Sequence, residues 1–281
     1  MSIDEKVVLE VYQKQAAEHG LEPTSTMLDQ ITRQMEVSAI LSCLSYLQSQ
    51  KGLPLNILEV GCGNGYLLQL IRSRFPQSQL TGVDYSPEMV ALASDRDIDN
   101  CTVRQGNARS LDLQDSTFDV AVTERCLINL LDRTAQNEAI RSIHRVLKSG
   151  GHELLIEAFM DGLKNLNRAR SELGLAENVV PHHNLWFDKS QFLTSVEPLF
   201  DVITDDELRG NGLPTSNFLS SHYFISRVLY PSITKREVLY NTEFVQFFTF
   251  LPPMGAYSPI QFFLLRKQWR SRESRLPEAF R

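Results

Sequence analysis

The strongest constraint on the fold is a glycine-rich turn in the segment LNILEVGCGNG, residues 55–65. A short apolar strand runs up to Glu59 and Val60, and glycines follow at three alternate positions, 61, 63 and 65, before a predicted helix. Glycine lets the backbone pass close to a ligand, and the first turn of a helix offers free backbone N–H groups. We therefore expect a ligand-binding loop between the first strand and the helix that follows it.

An acidic residue further along the chain strengthens this interpretation. Asp84 lies 19 residues after Gly65, at the predicted tip of the second strand. A carboxylate in that place can accept hydrogen bonds from both ribose hydroxyls of an adenosine. Dinucleotide binders have the spacing GxGxxG, whereas this chain has GxGxG, and Glu59 is not part of the dinucleotide fingerprint. A purely structural glycine turn is the alternative that this combination disfavours.

The rest of the chain alternates between predicted strands and helices. Strands are predicted at residues 56–60, 79–83, 101–104, 118–123, 153–156, 200–205 and 259–265. The helix before the fifth strand is predicted to include Leu147 and to end at residues 149–151, and residues 160–190 read as loop. A further helix is predicted at 191–200. This alternation favours a parallel sheet with helices on both faces.

Four regions follow from this pattern. We expect an N-terminal helical cap at 1–50, an α/β core at 51–208, a lid or substrate insertion at 209–257, and the last core strand with a basic tail at 258–281. The insertion is irregular and rich in aromatic residues. Its aromatics could form the core of a helical lid, an acceptor pocket or a homodimer interface. The tail, which includes Arg270 and Arg281, is either solvated or a site for a phosphate-bearing substrate.

Composition excludes several other classes. The net charge of −6 disfavours a non-specific nucleic-acid binder. The four cysteines are scattered and include no CxxC pair, which disfavours a disulfide framework or a structural zinc site and suits a reducing cytoplasm. The N-terminus does not read as a signal peptide, and no apolar run approaches the roughly 18 residues of a membrane span.

Several segments together resemble the class I S-adenosylmethionine-dependent methyltransferases of the small-molecule type. EVGCGNG is similar to their first motif and TGVDYSPEMVALA to their second, and the segment around RQGNARSL resembles their third. STFDVAVTERCLINL and IRSIHRVLKSGGHELLIE resemble the fourth motif through the fifth strand. The resemblance covers about residues 50–160. It implies a Rossmann-like, seven-stranded, mostly parallel sheet, with the N-terminal cap and an insertion before the last strand.

The resemblance also implies a set of cofactor contacts. Glu59 would lie beside the methionine amino end of S-adenosylmethionine, Asp84 would hold the ribose, and Tyr85 would pack on the adenine. Asn107 stands where the family most often has Asp, but its carbonyl oxygen can still accept from the adenine amino group. The full set implied to bind the cofactor is Glu59, Gly61, Gly63, Asp84, Tyr85, Asn107, Ala108 and Thr123.

An alcohol or ammonium acceptor needs a base in addition to the activated methyl donor. The segment PHHNLWF, residues 181–187, follows the fifth strand and offers histidine, amide and aromatic side chains, as small-molecule sites do. The predicted catalytic residues are His183, Asn184 and Glu124, and the predicted substrate contacts are Tyr12, His182, Trp186, His222 and Tyr223. The competing interpretation is an ordinary loop whose Trp186 and Phe187 anchor the next helix.

Two departures narrow the expected substrate. The fourth motif reads TERC and lacks the Pro-Pro-aromatic sequence of relatives that methylate DNA bases or glutamine amides. We therefore do not expect a DNA substrate. No metal-binding cluster is apparent in the sequence either, so we expect no bound metal. The predicted function is methyl transfer from S-adenosylmethionine to oxygen or nitrogen of a small metabolite, such as a natural product or sugar. The alternatives are a dinucleotide-dependent oxidoreductase and a non-catalytic cofactor-binding partner subunit.

Overall fold

A seven-stranded sheet forms the centre of the computed structural model, which describes residues 3–22, 27–236, 240–248 and 251–269. The strands are β1 (Asn56–Val60), β2 (Gln79–Asp84), β3 (Cys101–Gln105), β4 (Phe118–Glu124), β5 (Leu147–Ala158), β6 (Phe200–Val202) and β7 (Ile260–Lys267). Their order across the sheet is β3-β2-β1-β4-β5-β7-β6. Only β7 runs antiparallel to its neighbours, β5 and β6. The predicted mostly parallel, Rossmann-like sheet is confirmed.

Helices precede, connect and follow these strands. They are α1 (Ile3–His19), α2 (Gln30–Lys51), α3 (Tyr66–Arg74), α4 (Pro87–Asp95), α5 (Arg133–Val146), α6 (Met160–Glu172), α7 (Lys189–Val196), α8 (Asp205–Gly210), α9 (Ser220–Phe224), α10 (Tyr230–Thr234) and α11 (Glu243–Phe247). A π-helical turn, Ile225–Leu229, joins α9 to α10. None of the helices described is both long enough and apolar enough to cross a membrane.

Apolar side chains bury both faces of the sheet. On one face, Ile40 of α2 and Leu67 of α3 pack in a cluster with the apolar side chains of β1 and β5. On the other face, Ile143 of α5 and Phe192 of α7 belong to a second cluster. The parallel strands β1, β2 and β4 have their carboxyl ends on the same side of the sheet, and the strand order reverses between β1 and β4. Ligands of such sheets bind beyond the carboxyl ends at this reversal, so a ligand site is expected there.

Several predicted boundaries are wrong. Strand β6 ends at Val202 rather than at residue 205, and the helix predicted at 191–200 lies at Lys189–Val196. Helix α5 ends at Val146, and β5 begins at Leu147 rather than at residue 153, because Leu147 already pairs with Phe118 in the sheet. The predicted loop at 160–190 begins with the helix α6. This helix buries Leu163 and Leu166 but is otherwise polar, so its apolar stripe is too sparse to stand out in the sequence.

The described part of the insertion between β6 and β7 contains the short helices α8 to α11 and the π-helical turn, which alternate with irregular stretches. Its aromatic residues divide between two environments. Phe218 belongs to the core cluster on one face of the sheet, and Tyr230 packs against Phe244. By contrast, Phe247 is 79% exposed. The basic tail from Arg270 to Arg281 lies outside the described residues.

Candidate functional site

One cavity of about 660 Å³ opens at the carboxyl ends of the parallel strands. Its walls come from the loops after β1, β2, β4 and β5, from α1 and α2, and from the insertion. A volume of this size is within the range of small-molecule and cofactor sites. Because the lining combines the glycine turn with residues 177–186, both halves of the site predicted from sequence lie in one continuous space.

The glycine turn after β1 has the backbone conformation that only glycine adopts without strain. Gly61, Gly63 and Gly65 have φ angles of 79°, 51° and 74°. The Gly61 N–H donates to the carbonyl oxygen of Val83 at 2.7 Å, which ties the turn to β2. A Cβ atom on Gly61 would lie 2.5 Å from the Cys126 sulfur. The turn therefore packs directly against the loop that follows β4.

We expect Gly61→Val to abolish binding of S-adenosylhomocysteine and to lower the melting temperature. The added side chain would force apart the two loops that form the cavity wall, because its Cβ atom would overlap Cys126. Gly174→Val is the matched control, because Gly174 has a φ of 67° and no atom within 4 Å of an added Cβ. Calorimetry should show binding lost in the first variant and retained in the second. Gly61→Ala serves if the valine variant does not fold, and normal binding by either Gly61 variant contradicts the assignment.

Asp84 lies at the tip of β2 and is held by the loop it faces. Its two carboxylate oxygens accept from the backbone N–H of Gly63 at 2.8 Å and of Ser86 at 2.9 Å. Burial raises the pKa of Asp84 above its ordinary value, although these two N–H groups favour the ionised form. The backbone N–H of Tyr85 also favours the ionised form. A carboxylate has about four lone-pair sites, so Asp84 is fixed in place and can still accept from a further donor.

Tyr85, Asn107 and Ala108 also line the cavity. The Asn107 side-chain oxygen already accepts from the backbone N–H of Arg109 at 3.0 Å and caps the short 3-10 turn at Ala108–Ser110. An adenine amino group would share this oxygen with the cap. The contact is chemically available because an amide oxygen accepts two hydrogen bonds.

Glu59 provides the clearest test of whether the cavity fits S-adenosylmethionine. The side chain is 3% exposed, lines the cavity, and has one carboxylate oxygen, Oε2, buried without a hydrogen-bond partner among the described residues. Burial and the nearby Glu124 raise its pKa well above the ordinary value, against the opposing charge of Arg33. An ammonium group bound beside Glu59 would supply the missing partner. The residues present therefore fit the amino end of the cofactor.

Glu124 also lines the cavity, but it is part of a buried ion cluster. Arg33 of α2 forms a salt bridge with it, and Arg125 lies 3.5 Å from its other oxygen and 3.4 Å from Glu36. Burial alone would raise the pKa of Glu124, but the two guanidinium groups outweigh burial and lower it. A carboxylate held ionised in this way is a weak base. Within the described part of the chain, no acidic, histidine or cysteine cluster is arranged to hold a metal ion.

The two glutamates of this cluster should respond differently to substitution. Burial and the neighbouring Glu124 raise the pKa of Glu36 well above its ordinary value, whereas the pKa of Glu124 is lowered, so replacement by glutamine removes less charge at Glu36 than at Glu124. We expect Glu36→Gln to change the free energy of unfolding by less than about 1 kcal/mol. Glu124→Gln leaves Arg33 buried without its charge partner and should cost about 3 kcal/mol or more. Urea denaturation of both variants measures the difference, and equal losses would contradict the assigned charge states.

Three predicted site residues do not line the cavity. Thr123 is completely buried in β4 and its hydroxyl is enclosed, so its cofactor contact stays a prediction. His182 is exposed and packs edge-on against His183. His222 is 2% exposed and contacts Asp29 through Nε2 at 2.9 Å. The structure places both histidines outside the cavity lining, and their substrate contacts stay predictions.

A chain of two hydrogen bonds joins Asn184 to Tyr12 through Asn129. The Asn184 amide donates to the Asn129 oxygen at 2.8 Å, and the Asn129 amide donates to the Tyr12 hydroxyl at 2.9 Å. Burial raises the pKa of Tyr12 above its ordinary value, so its hydroxyl keeps its proton. This chain connects α1, the loop after β4 and the loop after β5 around one cavity.

Two ring nitrogens near these hydrogen bonds have no partner among the described residues. His183 Nδ1 and Trp186 Nε1 are both buried without a hydrogen-bond partner among the described residues, and both side chains line the cavity. Burial and the neighbouring His182 lower the pKa of His183, which keeps its imidazole neutral near pH 7. A neutral imidazole with a free nitrogen can accept a proton. The structure thus brings His183, Asn184, Trp186, Tyr12 and Tyr223 to one cavity.

Sequence reasoning missed several lining residues: Arg33, Arg125, Asn129, Arg227 and Tyr240. Arg125 and Asn129 directly follow β4, so the rule that ligands bind at strand ends could have found them. Arg125 also has a φ of 53°, the left-handed region that is unusual for a side chain of this size. Arg33 and Arg227 reach the cavity only through helix packing, which no local pattern reveals.

Comparison with known proteins agrees with this site. Residues 57–151 match a family model described as a methyltransferase domain. An uncharacterized methyltransferase of Schizosaccharomyces pombe is 30% identical over 127 residues, 42% of this chain and 45% of that protein. A malonyl-[acyl-carrier protein] O-methyltransferase of Priestia megaterium is 31% identical over 133 residues, 44% of this chain and 46% of that protein. The chain spans about half the length of these curated relatives.

A solved structure supports the fold. A SAM-dependent methyltransferase from Methanosarcina mazei superposes with a TM-score of 0.50 at 18% identity, covering 77% of this chain and 94% of that one. The glycine turn, Asp84 and the loop after β4 all lie within residues 57–151, the region that matches the methyltransferase domain. This chain therefore contains a region similar to a methyltransferase domain, and that region forms the glycine-turn side of the cavity.

Proposed function

We propose that this protein transfers a methyl group from S-adenosylmethionine to an oxygen or nitrogen atom of a small metabolite, of the natural-product or sugar type. One observation carries the proposal. A single cavity joins the cofactor-type residues Glu59, Gly61 and Asp84 to His183 and Trp186. A donor and an acceptor bound in these two halves would be held side by side, and such positioning supplies much of the rate of a two-substrate reaction.

The cofactor half would hold its ligand through three kinds of contact. Glu59 would bind the ammonium group, Asp84 the ribose hydroxyls, and Tyr85 the adenine face. When bound, S-adenosylmethionine supplies an activated methyl group, whose carbon–sulfur bonding electrons stay on sulfur after transfer. The chain itself needs only to orient the acceptor and remove its proton.

His183 is the base that we propose. Its lowered pKa keeps the imidazole neutral, and Nδ1 is free to accept a proton. The other candidates are occupied: Glu124 is paired with Arg33, and Glu157 accepts from the backbone N–H groups of residues 126, 127 and 128. Asn184 would orient the acceptor from its place in the chain of hydrogen bonds to Tyr12.

Further features support the class and setting of the reaction. The P. megaterium relative is named for methyl transfer to oxygen, which supports oxygen as one target. The four cysteines are free and suit a reducing cytoplasm. A homodimer, with the insertion as its interface, and the division at residues 50, 208 and 257 remain predictions.

Calorimetry and a transfer assay test this function. We expect S-adenosylhomocysteine to bind the purified protein, and NAD and NADP not to bind. Labelled S-adenosylmethionine, incubated with a panel of small alcohols, sugars and amines, should yield a methylated product. Binding of NAD instead of S-adenosylhomocysteine would support the oxidoreductase alternative. Cofactor binding without transfer to any acceptor would favour a non-catalytic subunit.

A further inference from the structure

The acceptor half of the cavity contains a guanidinium group that the proposed reaction does not use. Arg227, in the π-helical turn, lines the cavity with its guanidinium carbon 3.6 Å from the ring centre of Tyr223 and 4.6 Å from that of Tyr240. Both tyrosines also line the cavity. π-helical turns within helices often occur at functional sites. The arrangement fixes a flat, rigid group beside the predicted acceptor.

A buried network from the other end of the chain holds Arg227 in this position. Asp29, which caps α2, accepts from Arg227 Nη2 at 2.8 Å and contacts His222 Nε2 at 2.9 Å through the same oxygen. Thr32 also donates to Asp29. Burial would raise the pKa of Asp29, but its bonds to His222 and Arg227 outweigh burial and keep the carboxylate ionised. The Asp29–Arg227 pair therefore carries no net charge.

The charge balance of the cavity limits the acceptors that it can take. Around Arg227, the guanidinium group is held against the Asp29 carboxylate, so this pair has no net charge. The pair therefore offers neither an anionic nor a cationic acceptor an uncompensated opposite charge. A neutral acceptor avoids the cost of an unpaired buried charge beside it.

Hydrogen bonding and shape then favour one class of acceptor molecule. Arg227 donates to Asp29 and to Ser226 Oγ, which uses two of its five N–H groups. The same part of the cavity offers polar atoms on Asn178 and Asn184, and an apolar wall that includes Leu163 and Ile260. Planar polar groups beside aromatic and apolar walls suit a ring with hydroxyls on its edge and C–H groups on its face.

We propose that the acceptor is a neutral, hydroxyl-bearing ring, of which a glycosyl unit is the simplest, and that Arg227 recognises its oxygens. This proposal deepens the proposed function and rests on it. In the reaction, a C–O bond forms to the acceptor hydroxyl as the methyl–sulfur bond breaks, and the hydroxyl proton passes to His183. Arg227 determines specificity, and Asp29 is a positioning residue that acts through it.

Saturation-transfer NMR on the protein saturated with S-adenosylhomocysteine tests the proposal. The probes are methyl glycosides of glucose, galactose, mannose and rhamnose, the matching uronic acids, and the matching amino sugars. We expect signal from at least one neutral glycoside and at least tenfold weaker binding of it by Arg227→Gln. Arg209→Gln, an exposed arginine in α8, is the control and should bind as the wild type does. Signal only from uronic acids or amino sugars, or from none of the sugars, overturns the proposal.

A second variant tests the positioning role. Asp29→Asn removes the charge opposite Arg227, so the preference should shift at least tenfold from the neutral glycoside towards the uronic acid. If Asp29 had only a structural role, the variant would bind all probes more weakly by the same factor. That result would overturn the positioning role of Asp29. If this variant does not fold, Arg227→Gln and Arg227→Lys still decide the proposal, with partial retention expected in the lysine variant. Failure of S-adenosylhomocysteine to bind the wild type would instead refute the proposed function.

Discussion

Asp84→Ala should weaken binding of S-adenosylhomocysteine at least about 100-fold. The change removes two acceptors for charged hydrogen bonds to a ribose, and a combined loss of about 3 kcal/mol corresponds to that factor. It also frees the backbone N–H groups of Gly63 and Ser86, which loosens the glycine turn. Isothermal titration calorimetry measures the affinity directly.

Asp95→Ala is the matched control for this experiment. Asp95 is an exposed aspartate at the end of α4, and it does not line the cavity. Its replacement should leave the affinity within about twofold of wild type. Unchanged affinity in the Asp84 variant, at a normal melting temperature, would remove Asp84 from the ribose site.

His183→Ala should reduce turnover at least about 100-fold with the true acceptor, because general-base catalysis contributes about that factor or more. Affinity for S-adenosylhomocysteine and the melting temperature should stay close to wild type. His182→Ala is a close control, since His182 is the adjacent residue, is exposed and does not line the cavity. Full turnover in the His183 variant would eliminate His183 as the base.

The pH dependence of turnover gives an independent test of the same residue. The base must be neutral to accept a proton, and burial together with His182 lowers the pKa of His183 below its ordinary value. Turnover should therefore be on a plateau at pH 7 and fall as the pH decreases through that lowered pKa. The acid limb should be absent in His183→Ala. An acid limb that persists in this variant would assign the titration to another group.

The cofactor half could be predicted from the sequence because its determinants are local. The glycine turn and Asp84 each stand at the end of a strand, and parallel strands bring their carboxyl ends to one edge. Strand positions were readable from short apolar runs bounded by turn residues. At the end of β4, Glu124 lines the cavity whereas the adjacent Thr123 is completely buried, and the sequence did not show which of the two side chains would reach the cavity.

The acceptor half was less predictable because it depends on long-range packing. His222 looked like a candidate base in the sequence, but its partner Asp29 is 193 residues away. Arg33 and Arg227 enter the cavity only because α2 and the insertion pack beside each other. Helix α6 was missed because most of its residues are polar, and only a few side chains such as Leu166 reveal the buried face.

The strand order places acceptor contacts of the insertion and the proposed cofactor contacts in different parts of the chain. The insertion leaves the sheet after the edge strand β6 and returns at β7, one strand further in. Tyr223 and Arg227 belong to this stretch, whereas the proposed cofactor contacts belong to β1, β2 and the loops after β1, β2 and β3. Mutations at the acceptor contacts of the insertion can therefore accumulate in one continuous segment without altering the proposed cofactor contacts. We expect relatives with a common cofactor loop to differ most between β6 and β7.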